Sequence, residues 1–152
     1  MESDLGIRWV IALPLEAKPI RSRFGIEILV TQKPYRVFRD TENLHWLVES
    51  GVGSYHAAAA TMFLHQVSQA QSWNAWVNAG IAAHATLPLG TPCLIDKIYQ
   101  ASSGQIHHPG VTFPTRCRKY SLITVDRPEA ECPEDSLYDM EGAAFFTIAS
   151  RL

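Results

Sequence analysis

Ile7 to Leu13 is a largely apolar run, Pro14 breaks it, and Glu16 follows at once. A carboxylate just beyond the carboxyl end of a strand is placed to act as a general acid or base. The same residue also suits the exposed first turn of a helix. A second run, Leu44 to Glu49, ends in Ser50-Gly51-Val52-Gly53-Ser54. Small residues between a strand and a helix bare backbone N–H groups that can hold an anion or a polar oxygen. This turn has neither the lysine of a phosphate loop nor the third glycine of a dinucleotide fingerprint, and a plain tight turn would also use it. Ala75 to Asn78 runs into a third such turn, Asn78-Ala79-Gly80-Ile81, which fits either a crevice or close packing on a helix. Last, Asp139-Met140-Glu141 sets two carboxylates around a methionine ahead of an apolar stretch. That is either helix capping or an acceptor for hydroxyl groups beside an apolar shelf.

The elements that must position these residues follow from breakers and patterning. Ile7 to Leu13 reads as a buried strand and Leu15 to Phe24 as a helix ended by Gly25. Ile26 to Thr31, Tyr35 to Arg39 and Leu44 to Glu49 read as an antiparallel meander. The Ala-rich segment Tyr55 to Gln71 predicts a long helix, and Ala75 to Asn78, Thr91 to Tyr99 and Ser121 to Val125 predict strands. Gln100 to Lys119 reads as a long loop, Arg127 to Asp135 as irregular, and Leu137 to Leu152 as a closing helix. The grammar is α/β: one three-layer domain over residues 1–152, with a mixed central sheet and helices on both faces. The expected core includes Val10, Ile11, Ala12, Leu47, Val48, Ala58, Ala59, Met62, Val77 and Phe145.

In this order and spacing the motifs resemble the nucleoside phosphorylase superfamily, and within it the nucleosidases that cleave methylthioadenosine and S-adenosylhomocysteine. Ile11-Ala12-Leu13-Pro14-Leu15-Glu16 resembles the first strand and acidic turn of that family, and Ser50-Gly51-Val52-Gly53 its SG(I/V)G turn. Asn78-Ala79-Gly80-Ile81-Ala82-Ala83 resembles its NTGSAGG segment, and Asp139-Met140-Glu141-Gly142-Ala143-Ala144 its (E/D)MEA(T/A)A segment. The resemblance implies that Glu16 activates water and that Met140 and Glu141 hold a ribose, Glu141 accepting from its hydroxyls. It makes the Ser50–Gly53 and Asn78–Ile81 turns and Asp139 part of a nucleoside site, with no cofactor and no metal. N-glycosidic cleavage passes through an oxocarbenium-like ribose, which nearby carboxylates stabilise.

The sequence departs from the family pattern in places. Ile81 stands where the family has serine, which removes a hydroxyl for phosphate or water, and no phosphate-binding arginine loop is evident. Hydrolysis is thereby favoured over phosphorolysis. The family continues beyond the closing helix into a strand whose aspartate protonates the leaving base; this chain ends at Leu152, so the fold is expected to lack that last strand and helix. Asp126, after the strand Ser121 to Val125, is then the candidate for the acid. The competing expectations are a purine nucleosidase or phosphorylase, a degenerate nucleoside-binding or partner subunit without turnover, and a truncated gene product.

Composition narrows the rest. The chain has 152 residues, is 47% hydrophobic and carries a net charge of −2, so it can bury a core and has no basic field for nucleic acid. No apolar run approaches the roughly 20 residues that span a bilayer, and the acidic start Met1 to Asp4 is unlike a signal peptide. Cys93, Cys117 and Cys132 form no paired motif, so no zinc site or disulfide framework is indicated. A cytoplasmic protein is expected, without a membrane partner. A homodimer is also expected, burying apolar residues such as Phe145, Phe146 and Ile148.

Overall fold

A computed structural model describes residues 5–129, 131–132 and 135–152. The start Met1 to Asp4 and part of the irregular stretch Arg127 to Asp135 lie outside those residues.

The organising strand is β1 (Ile7–Ile11), which pairs in parallel with both β4 (His45–Glu49) and β5 (Ala75–Asn78). Successive side chains on a strand face opposite ways. Val10 and Ile11 are both fully buried, but against different partners. Ile11 packs with Leu47, Phe38 and Ala17 on the face covered by α1 (Pro14–Phe24). Val10 packs with Val48, Val37, Ala57 and Leu64 on the face covered by α2 (Ser54–Ser68). This gives the expected three layers. The meander is present too: β2 (Ile28–Thr31), β3 (Arg36–Arg39) and β4 pair antiparallel, in a five-stranded sheet ordered β2-β3-β4-β1-β5.

The mixed sheet is built in two sections. β6 (Cys93–Gln100), β7 (Ile106–His107), β8 (Arg118–Thr124) and β9 (Ser136–Asp139) form a second sheet ordered β7-β6-β8-β9. The β6–β8 and β8–β9 pairs are parallel. The sections meet at an antiparallel bridge, where Ala83 and Tyr138 exchange two backbone hydrogen bonds of 2.9 Å. α3 (Gly142–Ala149) packs over the junction; its Phe146 touches the cores of both sections.

Four expectations change. The segment Leu137 to Leu152 is not one helix: its first residues join β8 as β9, and only Gly142–Ala149 is helical. Leu137 and Tyr138 are both buried, as a strand covered on two sides requires, and apolar runs of that kind do not distinguish strand from helix. The second-longest helix is therefore α1. The stretch Gln100 to Lys119 contains β7 and the start of β8. On α2 the buried residues are Ala57, Ala60, Thr61, Leu64 and Ser68, whereas Ala59 is exposed and Met62 is 47% exposed. A run of alanines carries no phase; the larger Leu64 sets it. Nor does α3 offer an open apolar face, since Phe145 is buried and Phe146 packs inward.

Candidate functional site

β1, β4 and β5 are parallel, so the turns that follow them gather at one edge of the sheet. The ends of β8 and β9 arrive at the same place. Open α/β sheets bind ligands at such carboxyl edges, and a cleft of about 370 Å³ opens there.

Glu16 sits in the first turn of α1, where Pro14 needs no N–H partner. Its Oε2 accepts the Leu13 backbone N–H at 3.0 Å and its Oε1 accepts the Ile81 N–H at 2.9 Å. One carboxylate thus ties the turn after β1 to the turn after β5. Gly80 makes the approach possible, because a Cβ there would lie 3.2 Å from Glu16 Oε1. Asn78 faces the sheet: its Nδ2 donates to the Val10 carbonyl at 2.9 Å. Ala79 packs into the core under α1, and the Ile81 side chain is 83% exposed and lines the cleft.

The turn after β4 is held from below. The buried Ser50 hydroxyl donates to the Gly51 carbonyl at 2.8 Å, and the Gly51 N–H donates to the Ala12 carbonyl at 3.0 Å. Gly51 and Gly53 have φ of 82° and 104°, conformations that L side chains rarely adopt. That geometry aims the Gly53 N–H at Glu141 Oε1, 2.6 Å away, while the Ser54 hydroxyl donates to the Met140 carbonyl at 3.0 Å. Val52 lines the cleft. Ser50 and Asn78 therefore hold the backbone, and the turns they hold supply Val52, Ile81 and the donors to the carboxylates.

Asp139 ends β9, and its side chain holds the start of α3. Its Oδ1 accepts the Thr124 hydroxyl at 2.7 Å, and its Oδ2 accepts the N–H groups of Gly142 at 2.6 Å and Glu141 at 3.2 Å. Thr124 Oγ1 in turn accepts the Ala143 N–H at 3.0 Å. Burial pushes the Asp139 carboxyl above its ordinary pKa, against the pull of those hydrogen bonds. Its role in this geometry is to fix the turn that presents Met140 and Glu141. Glu141 is half-buried, and its Oε2 lies 3.3 Å from the Met140 N–H. Burial first, then the negative charges of Asp139 and Glu16, raise the Glu141 pKa, while the Gly53 and Met140 N–H groups oppose the rise. Glu16, Asp139, Met140 and Glu141 all line the one cleft.

Asp126 is exposed and is not part of the lining. Glu129, further along the same segment, is part of it, together with Val125, Pro128, Cys132 and Tyr138. Burial, then the neighbouring Cys132 and Glu129, push the Tyr138 phenol pKa up. The sequence reading missed Thr124, Glu129, Cys132 and Tyr138. The only signal for Glu129 was an acidic, proline-containing segment leaving a strand at the cleft edge; Thr124 had none. Among the described residues the lining holds the carboxylates Glu16, Glu129, Asp139 and Glu141 and no lysine, arginine or histidine. Such a site can accept hydrogen bonds from hydroxyl and amino groups and stabilise a developing positive charge.

The sequence matches no protein-family model and no curated protein. Solved structures do match. A Helicobacter pylori methylthioadenosine nucleosidase mutant, with 5′-methylthioadenosine in its active site, superposes with a TM-score of 0.79 at 12% identity, over 98% of this chain and 80% of that one. A futalosine hydrolase mutant from the same organism gives 0.76 at 12% identity, over 97% and 84%. The methylthioadenosine/S-adenosylhomocysteine nucleosidase of Colwellia psychrerythraea, in complex with adenine, gives 0.77 at 17% identity, over 98% and 78%. At these identities the likeness is one of fold: the chain has the α/β fold of the nucleosidases that its motifs resemble.

Proposed function

We propose that this cleft binds a purine nucleoside and that its carboxylates act on the N-glycosidic bond by hydrolysis. The observation that carries the reading is the pair of clamped carboxylates in one cleft: Glu141 on the Gly53 N–H at 2.6 Å and Glu16 on the Ile81 N–H at 2.9 Å. A ribose diol donates to Glu141, and Met140 forms the apolar side of the sugar pocket. Glu16 orients the attacking water, since each carboxylate oxygen keeps a lone pair beyond its backbone hydrogen bond. The negative lining favours an oxocarbenium-like ribose. The same lining repels phosphate, which supports hydrolysis over phosphorolysis. Likeness of fold to nucleosidases whose structures hold methylthioadenosine or adenine adds support.

A second reading is nucleoside binding without turnover. Ile81 favours it, because an exposed apolar side chain stands where the resembled family has a hydroxyl. Isothermal titration with adenosine and methylthioadenosine, beside an adenine-release assay, separates the two. Binding with release supports hydrolysis; binding without release supports the second reading; no binding removes both.

We further propose a homodimer through the outer face of α2, where Tyr55 is 93% exposed and Met62 and Phe63 line a shallow groove. An exposed apolar face of this kind marks an interface. A monomer by light scattering at micromolar concentration would contradict it. The three free cysteines fit a reducing compartment such as the cytoplasm, and no helix among the described residues is long and apolar enough to cross a membrane.

A further inference from the structure

Among the described residues that line the cleft, Tyr138 carries the only hydroxyl. It is 7% exposed, and its backbone is fixed by the two 2.9 Å hydrogen bonds with Ala83. Leu137 packs into the core under α3, so by the alternation of a strand Tyr138 faces the other way, into the cleft. The two hydroxyls just outside the lining are committed: Ser54 donates to the Met140 carbonyl at 3.0 Å, and Thr124 donates to Asp139 at 2.7 Å. The Tyr138 phenol is in none of the hydrogen bonds that brace the cleft. A buried phenol usually has a partner, and the open side here is the ligand's. Burial, then Cys132 and Glu129 nearby, raise its pKa, so the group stays a neutral O–H donor at neutral pH. The ionised carboxylates around it only accept.

Hydrolysis of an N-glycosidic bond builds charge in two places. C1′ becomes positive, which the carboxylates favour. The electron pair of the breaking C1′–N bond goes to the base, whose ring nitrogens become negative, and ionised carboxylates do nothing for that charge. We propose that the Tyr138 hydroxyl donates a hydrogen bond to a ring nitrogen of the departing base and stabilises the charge it acquires. The inference rests on the hydrolytic reading above and deepens it. Water forms the new C1′–O bond and passes a proton to Glu16. Glu16 returns that proton to solvent, and the departed base takes one up from solvent, so water is the only co-reactant. The cleft, about 370 Å³, is near the lower end of small-molecule pockets at ~300–1,000 Å³, so a nucleoside seated on Glu141 leaves its base among the same lining as Tyr138. A donor aimed at developing charge is worth about 10²–10³-fold in rate.

The test is the steady-state release of base from adenosine and from 2-fluoroadenosine by the wild type and Tyr138→Phe, which keeps the ring and loses only the O–H. With adenosine, Tyr138→Phe is expected to lower kcat about 100-fold and to leave KM within about threefold, the signature of an interaction made chiefly in the transition state. Fluorine withdraws electrons from the base, which then leaves with less help. The deficit of Tyr138→Phe is therefore expected to narrow to about tenfold or less with 2-fluoroadenosine; a purely structural role would slow both substrates by the same factor. If the wild type turns over and Tyr138→Phe keeps kcat within about threefold, or loses the same factor on both substrates, this inference falls and the hydrolytic reading stands. If the wild type releases no base, the hydrolytic reading falls and takes this inference with it. Matching melting curves for the two proteins establish that lost rate reflects the missing donor and not lost folding.

Discussion

The floor of the cleft and its β8-side wall carry the same chemical group and are built in different ways. On the floor, Glu16 and Glu141 are clamped by backbone N–H groups from distant turns, and Asp139 is tied to Thr124 and to the start of α3. On the wall, Glu129 sits exposed on the segment that leaves β8. Clamped carboxylates are pre-organised, and they meet a ligand without paying for rearrangement. The difference is one of anchorage: the floor carboxylates are tied into the fold, and Glu129 lies exposed at the cleft edge.

Floor variants should therefore change the stability of the fold and wall variants should not. Gly53→Ala is expected to have the largest effect. Open space surrounds its Cβ position, so the cost is the strain of φ 104°, about 1–3 kcal/mol by urea denaturation, and the N–H turns away from Glu141. Thr124→Val leaves Asp139 Oδ1 and the Ala143 N–H without their partner in a buried site. It should destabilise by about 1–2 kcal/mol in the same measurement.

The pH dependence sharpens the comparison further. Burial raises Glu141 above its unfolded pKa, so the folded protein holds that proton more tightly. Its contribution to stability is fully present below the unfolded value of about 4.3 and is lost as pH rises through the raised folded value. Melting curves of wild type against Glu141→Gln should therefore diverge across that window and run level above it. Nucleoside affinity should run the opposite way, falling as pH drops through the raised value, because only the ionised carboxylate accepts two hydroxyl hydrogen bonds. The smallest effect is expected on the wall, where Glu129→Gln changes stability by less than about 0.5 kcal/mol. A stability loss there as large as at Gly53 would erase the distinction.

The five-stranded section was largely legible in the sequence because its breakers are local. Pro14, Gly25 and the Gly51–Gly53 turn mark its boundaries, and Val10, Ile11, Leu47 and Val48 are buried as their patterning requires. The second section was not. β9 reads as helix because Leu137 and Tyr138 run on into Gly142–Ala149 without a proline, and the boundary is made by Asp139 accepting N–H groups from Glu141 and Gly142. The site divides in the same way. Glu16 and Glu141 stand inside patterned motifs, and the cleft holds both. Asp126 was marked only by nearness to a strand end, and Glu129 belongs to an irregular segment with no period to place it.

The central claim is that the clamped Glu141 receives the ribose of a nucleoside. Isothermal titration of methylthioadenosine into wild type and Glu141→Gln tests it most directly. The account predicts saturable binding to the wild type that weakens about tenfold or more in Glu141→Gln, the loss of a charge-assisted hydrogen bond. Equal affinity in the two proteins, or no binding to the wild type, would contradict it.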